Sequence, residues 1–128
     1  MEKNFFTVNE IDIPQIKYGF FTRKIYESKI KNNIFQISKA INLLNLKNKK
    51  IKLVKQIHSN LIAEINNDNF NIEIEADGLI TNNFSIGLGI FTADCAPIFI
   101  FDKQKSFICC LHAGWRGTLS KIVEKALN

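Results

Sequence analysis

Short apolar runs separated by polar turn residues fill the second half of the chain, and they are too brief to be helices. Residues 76–81, 85–91, 98–101 and 107–111 each read as a strand. Asn82-Asn83 and Asp102-Lys103-Gln104-Lys105 supply turn residues between them. The first half is more mixed. Residues 17–23 (KYGFFTR) are aromatic and strand-like. Asn33 opens a helix whose apolar positions Ile34, Ile37, Ile41 and Leu44 follow a three/four rhythm, and NLKNKK ends it in a polar turn. Ile51, Leu53 and Ile57 then alternate with Lys52 and Gln56, with a local break at Val54 and Lys55. This predicts a strand with one exposed face. Residues 61–65 form a second strand, so the two are expected to pair as a hairpin with His58, Ser59 and Asn60 at its turn. Thr118 is placed to cap a closing helix with Leu119, Ile122, Val123, Ala126 and Leu127 on its apolar face.

These elements predict one domain over residues 1–128 of mixed α/β (α+β) class, neither a repeat nor a coiled coil. The closing helix stops at Asn128 as soon as its apolar face is established. The expectation is therefore a layer left incomplete at the C-terminus, with an uncovered sheet surface and self-association through it.

Composition narrows the class. At 128 residues the chain can bury a real core, and two prolines with six glycines exclude collagen-like and Pro/Gly-rich disordered chains. No apolar run approaches the ~18 residues of a membrane span, and MEKNFFTVNEIDIP lacks the layout of a secretory signal. The net charge of +5 is lopsided: residues 1–60 carry twelve basic and four acidic groups, residues 61–128 five and eight. Fifteen of the seventeen basic residues are scattered lysines, with no nucleic-acid motif among them, and Asn, Lys and Ile supply 51 positions. That bias reflects an AT-rich coding sequence better than a selected nucleic-acid surface. Neither nucleic acid nor membrane is an expected partner. The three cysteines, Cys95, Cys109 and Cys110, are odd in number and two are adjacent, which argues against a disulfide framework and for a reducing, cytoplasmic setting.

His58, Cys95 and His112 all fall at strand ends beside turn residues, where a rigid scaffold concentrates functional groups. Two imidazoles and a thiolate suit zinc and leave a fourth position open. Their separations match no local zinc-finger spacing, and singly such residues are more often hydrogen-bonded or packed than ligands. Their surroundings raise the case. Asp94 is an odd neighbour for an inert core thiol, and Pro97 disfavours a helix just after it. HAGWRG places two glycines, Trp115 and Arg116 in one strand-to-helix turn. The new helix would aim free N–H groups at an anion and Arg116 would clamp phosphate, although a salt bridge or surface charge for Arg116 and core packing for Trp115 are the plainer alternatives.

KQIHSN, ADGLIT, TADCAPIFIFD and HAGWRGT, in that order, resemble the signature segments of the YfiH-like family, also called multicopper polyphenol oxidase or laccase-domain proteins and purine nucleoside phosphorylases with adenosine deaminase activity. GFFTR, ending at Arg23, is similar to that family's N-terminal motif, and the likeness runs from about residue 17 to about residue 120. The resemblance implies a layered sandwich of mixed sheets. It also implies a Zn2+ site made by His58, Cys95 and His112, which would serve as the catalytic group, facing a purine nucleoside and phosphate. Arg23 would contact phosphate or ribose, while Asp94 and Gln56 would shape the pocket or orient ligands, unless their hydrogen bonds are purely structural. Family members continue well past HAGWRGT, so the resemblance marks this as a C-terminally shortened member.

The leading expectation is thus a zinc-dependent purine nucleoside phosphorylase acting on adenosine, inosine or methylthioadenosine, with adenosine deaminase as an accompanying activity. The alternative is a non-catalytic fragment that binds zinc or a partner chain. A copper-dependent phenol oxidase ranks lower, because a multicopper centre needs many more histidines than the two present.

Overall fold

The computed structural model describes residues 5–8, 13, 15–26, 33–104 and 106–128. Lys105, in the expected turn 102–105, lies outside them. The backbone divides into two compact units, Met1–Lys49 and Lys50–Asn128.

In the first unit, β1 (Phe5–Phe6) pairs antiparallel with β2 (Phe20–Phe21). The rings of Phe5 and Phe21 lie 5.5 Å apart, and a Cβ on Gly19 would meet the Phe5 ring at 2.9 Å. Glycine is needed there for space. The expected strand over 17–23 is therefore only two residues long, and the chain turns into a 3-10 helix at Arg23–Tyr26. Helix α1 (Asn33–Leu43) follows, and Asn45 in the left-handed region (φ 54°) closes it as Leu46 N–H donates to Ile41 O at 2.9 Å.

The second unit is built on strands. β3 (Lys50–Lys52) and β6 (Ile86–Leu88) form a parallel pair. β4 (Ile62–Glu64), β5 (Gly78–Thr81), β7 (Ala96–Phe101) and β8 (Ile108–Ala113) form a four-stranded sheet in the order β4-β5-β8-β7. β4 runs parallel to β5; the other pairings are antiparallel. The sequence-based strands at 76–81, 98–101 and 107–111 correspond to β5, β7 and β8. Pro97 is tolerated inside β7 because that strand is outermost in its sheet.

The expected hairpin does not form. β3 and β4 belong to different sheets, each with a parallel partner from further along the chain. The link between them is held instead by Lys55, whose N–H donates to Ile74 O at 2.9 Å and whose carbonyl accepts from Ala76 N–H at 3.1 Å.

β8 is covered on both faces. Cys109, Leu111 and Ala113 alternate onto one side and pack with Ile122, while Cys110 and His112 alternate onto the other. A second cluster gathers Ile65, Leu79 and Ile86. The expected closing helix is in fact two: α2 (Trp115–Leu119) and α3 (Ile122–Leu127), broken at Lys121 with φ 62°. Thr118 caps neither; its hydroxyl donates back to Gly114 O at 2.8 Å. The break turns the apolar face, so Ile122 is fully buried while Leu119 and Leu127 are 75% and 65% exposed. Among the described residues no helix is long and apolar enough to cross a membrane.

Candidate metal centre

Strand register brings the candidate residues to one end of the four-stranded sheet. Ala96 pairs with Ala113 and Pro97 with His112, so Cys95, just before β7, stands beside Gly114, just after β8. A Cβ on Gly114 would lie 3.2 Å from Cys95 Sγ and 3.3 Å from His58 Cδ2. Gly114 has an ordinary φ of −77°. What requires glycine there is room for two side chains from separate segments.

His58 reaches the same point from the 57–61 loop. Its backbone is left-handed (φ 59°), an uncommon conformation for a residue with a side chain. The loop also lies close against α2, where a Cβ on Gly117 would come within 2.9 Å of Ser59 O. Asn60 Nδ2 also donates to Ser120 O at 2.8 Å. The imidazoles of His58 and His112 meet edge to face with centroids 4.9 Å apart. Ligand atoms of His58, Cys95 and His112 all lie within 4.8 Å of one another.

That donor set fits a metal ion. Zinc at ~2.0–2.3 Å from nitrogen and sulfur places neighbouring ligands roughly 3.3–3.8 Å apart, within reach of small side-chain adjustments. His112 is buried, Cys95 half-buried and His58 exposed, so the cluster opens toward solvent on the His58 side.

Behind the three candidate ligands sits Asp77, with no exposed surface. Gly78 pairs with Leu111, so continuing that register sets Asp77 opposite His112. His112 N–H accordingly donates to Asp77 O at 2.7 Å. The Asp77 carboxylate is fully used. Oδ1 is 2.8 Å from His112 Nδ1 and accepts from His58 N–H at 3.0 Å. Oδ2 accepts from the N–H groups of Ile57 and Ser59 at 3.2 and 2.6 Å and from the Ser59 hydroxyl at 2.7 Å. Burial pushes this carboxyl up. The Ser59 hydroxyl, the His112 ring and the Ser59 and Ile57 N–H groups outweigh that and hold it below the usual carboxylate range. Sequence reasoning missed Asp77; its one signal was a carboxylate opening the apolar run of ADGLIT.

The other candidates are placed as follows. Gln56 is engaged at both ends of its amide: Nε2 donates to Phe91 O and Oε1 accepts from Phe91 N–H, each at 2.7 Å. It thereby ties down the approach to the 92–95 loop, where the Thr92 hydroxyl donates to Cys95 O. Asp94 is exposed in that loop. Arg116 is exposed on α2 with its guanidinium 4.9 Å from the ring of Trp115, which is itself 68% exposed and therefore not core. α2 has only five residues, too short for the expected helix-end anion site. Arg23 is exposed in the first unit. Cys109 and Cys110 lie in β8, where burial pushes their thiols up to about 11 and about 12, so both are protonated near neutral pH.

Comparison with known proteins gives this site its context. A purine nucleoside phosphorylase of Clostridium acetobutylicum is 39% identical over 90 residues, covering 67% of this chain and 37% of that protein. One from Borreliella burgdorferi is 37% identical over 81 residues, covering 63% and 35%. The chain thus spans a little over a third of the length of these curated relatives. In three dimensions it matches YlmD of Geobacillus stearothermophilus with a TM-score of 0.66 at 22% identity, over 73% of this chain and 38% of YlmD. It matches YfiH of Bacillus licheniformis with a TM-score of 0.58 at 21% identity, over 75% and 40%. The mixed α/β arrangement of several sheets is therefore that of the YlmD and YfiH folds. The profile described as multi-copper polyphenol oxidoreductase laccase matches residues 24–128. On that match the chain belongs to the multi-copper polyphenol oxidoreductase laccase family, the YfiH-like proteins.

Proposed function

We propose that residues 1–128 form part of one YfiH-like domain whose His58, Cys95 and His112 bind one zinc ion and serve purine nucleoside phosphorolysis, with adenosine deamination as a second activity of the same centre. The observation that carries this reading is the convergence of two imidazoles and a thiol on one point, in a chain whose matched relatives are named purine nucleoside phosphorylases. Zinc is favoured over copper by mixed nitrogen and sulfur ligation with an open position.

A bound zinc would supply Lewis acidity and a water of lowered pKa. His58, Cys95 and His112 hold it. Arg116, exposed on α2 just after His112 and its glycine, takes phosphate; Arg23 contributes to phosphate or ribose on the strength of the GFFTR likeness. Gln56 keeps the loop before Cys95 in place through Phe91, and Asp94 on that loop contacts the nucleoside. In phosphorolysis the phosphate oxygen bonds to ribose C1′ as the bond to the purine breaks, and the purine leaves with a proton.

Elemental analysis of protein purified without added metal tests the first half, with one zinc per chain expected. Phosphate-dependent release of purine base from adenosine and inosine tests the second. Cys95→Ala should abolish zinc and base release together. A zinc-loaded chain that releases no base would favour the non-catalytic alternative, and full zinc occupancy in Cys95→Ala would reject the site.

A further inference from the structure

We propose that Asp77 is the positioning residue of this centre: it fixes His112 in the tautomer that leaves Nε2 free for metal, and it holds the His58 loop to the same point. The proposal rests on the zinc reading above for the identity of the ion, but its core concerns two protein segments and one carboxylate. Asp77 lies 19 residues from His58 and 35 from His112, yet one oxygen, Oδ1, touches both.

An ionised carboxylate only accepts hydrogen bonds. Three of its five neighbours, the N–H groups of Ile57, His58 and Ser59, are obligatory donors. The Ser59 hydroxyl accepts from Leu61 N–H at 3.1 Å, which leaves its own proton for Oδ2. The remaining neighbour, His112 Nδ1 at 2.8 Å, must therefore carry the proton. A neutral imidazole protonated at Nδ1 has its lone pair on Nε2, the atom left to face Cys95 and His58. The same carboxylate accepts the N–H groups flanking a left-handed His58, a conformation that needs such support. The ligand set is thus assembled by the protein before any ion arrives, and the ordering entropy of the loop is not charged to metal binding.

Asp77→Asn tests this with little change in shape. The amide keeps most bonds if its oxygen stays at the Oδ2 position and its NH2 faces His112. His112 must then accept at Nδ1 and carry its proton on Nε2, which removes the donor. Long-range 1H–15N spectra of metal-free, labelled protein at mildly alkaline pH read the tautomer directly. The expected result is Nδ1–H for His112 in the wild type, Nε2–H in Asp77→Asn, and zinc affinity lower by about 10- to 100-fold in chelator competition. Ser59→Ala removes one donor from Oδ2, leaves the Oδ1 contact, and should keep the wild-type tautomer. A wild-type His112 protonated at Nε2 overturns the proposal even if Asp77→Asn fails to fold. So does zinc affinity in Asp77→Asn within twofold of the wild type, or a tautomer shift in Ser59→Ala. The tautomer is read without metal, so the role of Asp77 is decided whether or not zinc is the ion bound.

Discussion

Two buried charges in the Lys50–Asn128 unit do the same local job with opposite signs. The Lys52 ammonium donates to the carbonyls of Phe70 and Ile72 at 2.7 and 2.5 Å and lies 3.4 Å from that of Asn69. Asp77 gathers three backbone N–H groups from residues 57–59. Each closes a loop that side-chain packing alone would leave loose. They differ in what else they hold. The carbonyls around Lys52 belong to a segment that is partly exposed, and the Phe70 ring, 5.8 Å from the ammonium, is its other neighbour. Burial holds the Lys52 amine below its ordinary value. Asp77 has no exposed surface and spends one oxygen on a histidine ring. A buried charge is a loop clasp in the first case. In the second it is a loop clasp that also aims a ligand, and the added partner is all that separates the two roles.

The sharpest way to break this comparison is to delete both charges. Asp77→Ala strands several donors, one of them in the buried His112 ring, and should cost about 3–5 kcal/mol in urea unfolding. Lys52→Met leaves carbonyls that water can reach and relieves the desolvation of a cation, so about 1 kcal/mol is expected. Zinc binding should fall only in the first. Equal losses would show that the two charges are equivalent clasps. A finer test leaves both charges in place. Gly114→Ala puts a methyl against Cys95 Sγ and His58 Cδ2. It should lower zinc affinity about tenfold while costing only about 1 kcal/mol of stability, separating aim from cohesion.

The smallest effect concerns a half-buried carboxylate of the same design. Asp102 accepts from Ser106 N–H at 2.6 Å, from the Ser106 hydroxyl, and from Phe107 N–H at 3.3 Å. Its carboxyl is held below its ordinary value of 3.8, first by the Ser106 hydroxyl and then, against some desolvation, by the Ser106 and Phe107 N–H groups. A lowered folded value means the contribution is complete above pH 3.8 and is lost as pH falls through the lower one. The Ser106 amide resonance should therefore move only on acidification below that range, and Asp102→Asn should abolish the movement. A shift centred near neutrality would contradict the assignment.

Much of this was legible in the chain itself. β7 and β8 show as apolar runs because each is continuous and bounded by turn residues, and His58, Cys95 and His112 stand out through the motifs around them. Pairing was not legible. Alternation around Ile51 says that one face is buried, but not that β3 seeks β6 or that β4 seeks β5, each a parallel partner remote in sequence. The 119–127 periodicity runs straight across a helix break, because nothing in the identity of Lys121 announces a left-handed residue. Asp77 was hidden for a related reason. Its value depends on His112 lying opposite, and that neighbour exists only once β5 and β8 have paired.

The two thiols of β8 have a consequence for chemical labelling. Cys109 and Cys110 are buried and pushed up to about 11 and about 12, so neither presents thiolate to a reagent near neutral pH. Cys95 is half-buried. In the native protein an alkylating probe therefore meets one cysteine, and an ion seated on its sulfur closes even that. The rate of labelling becomes a gauge of site occupancy, while the other two residues serve as an internal count of unfolded molecules.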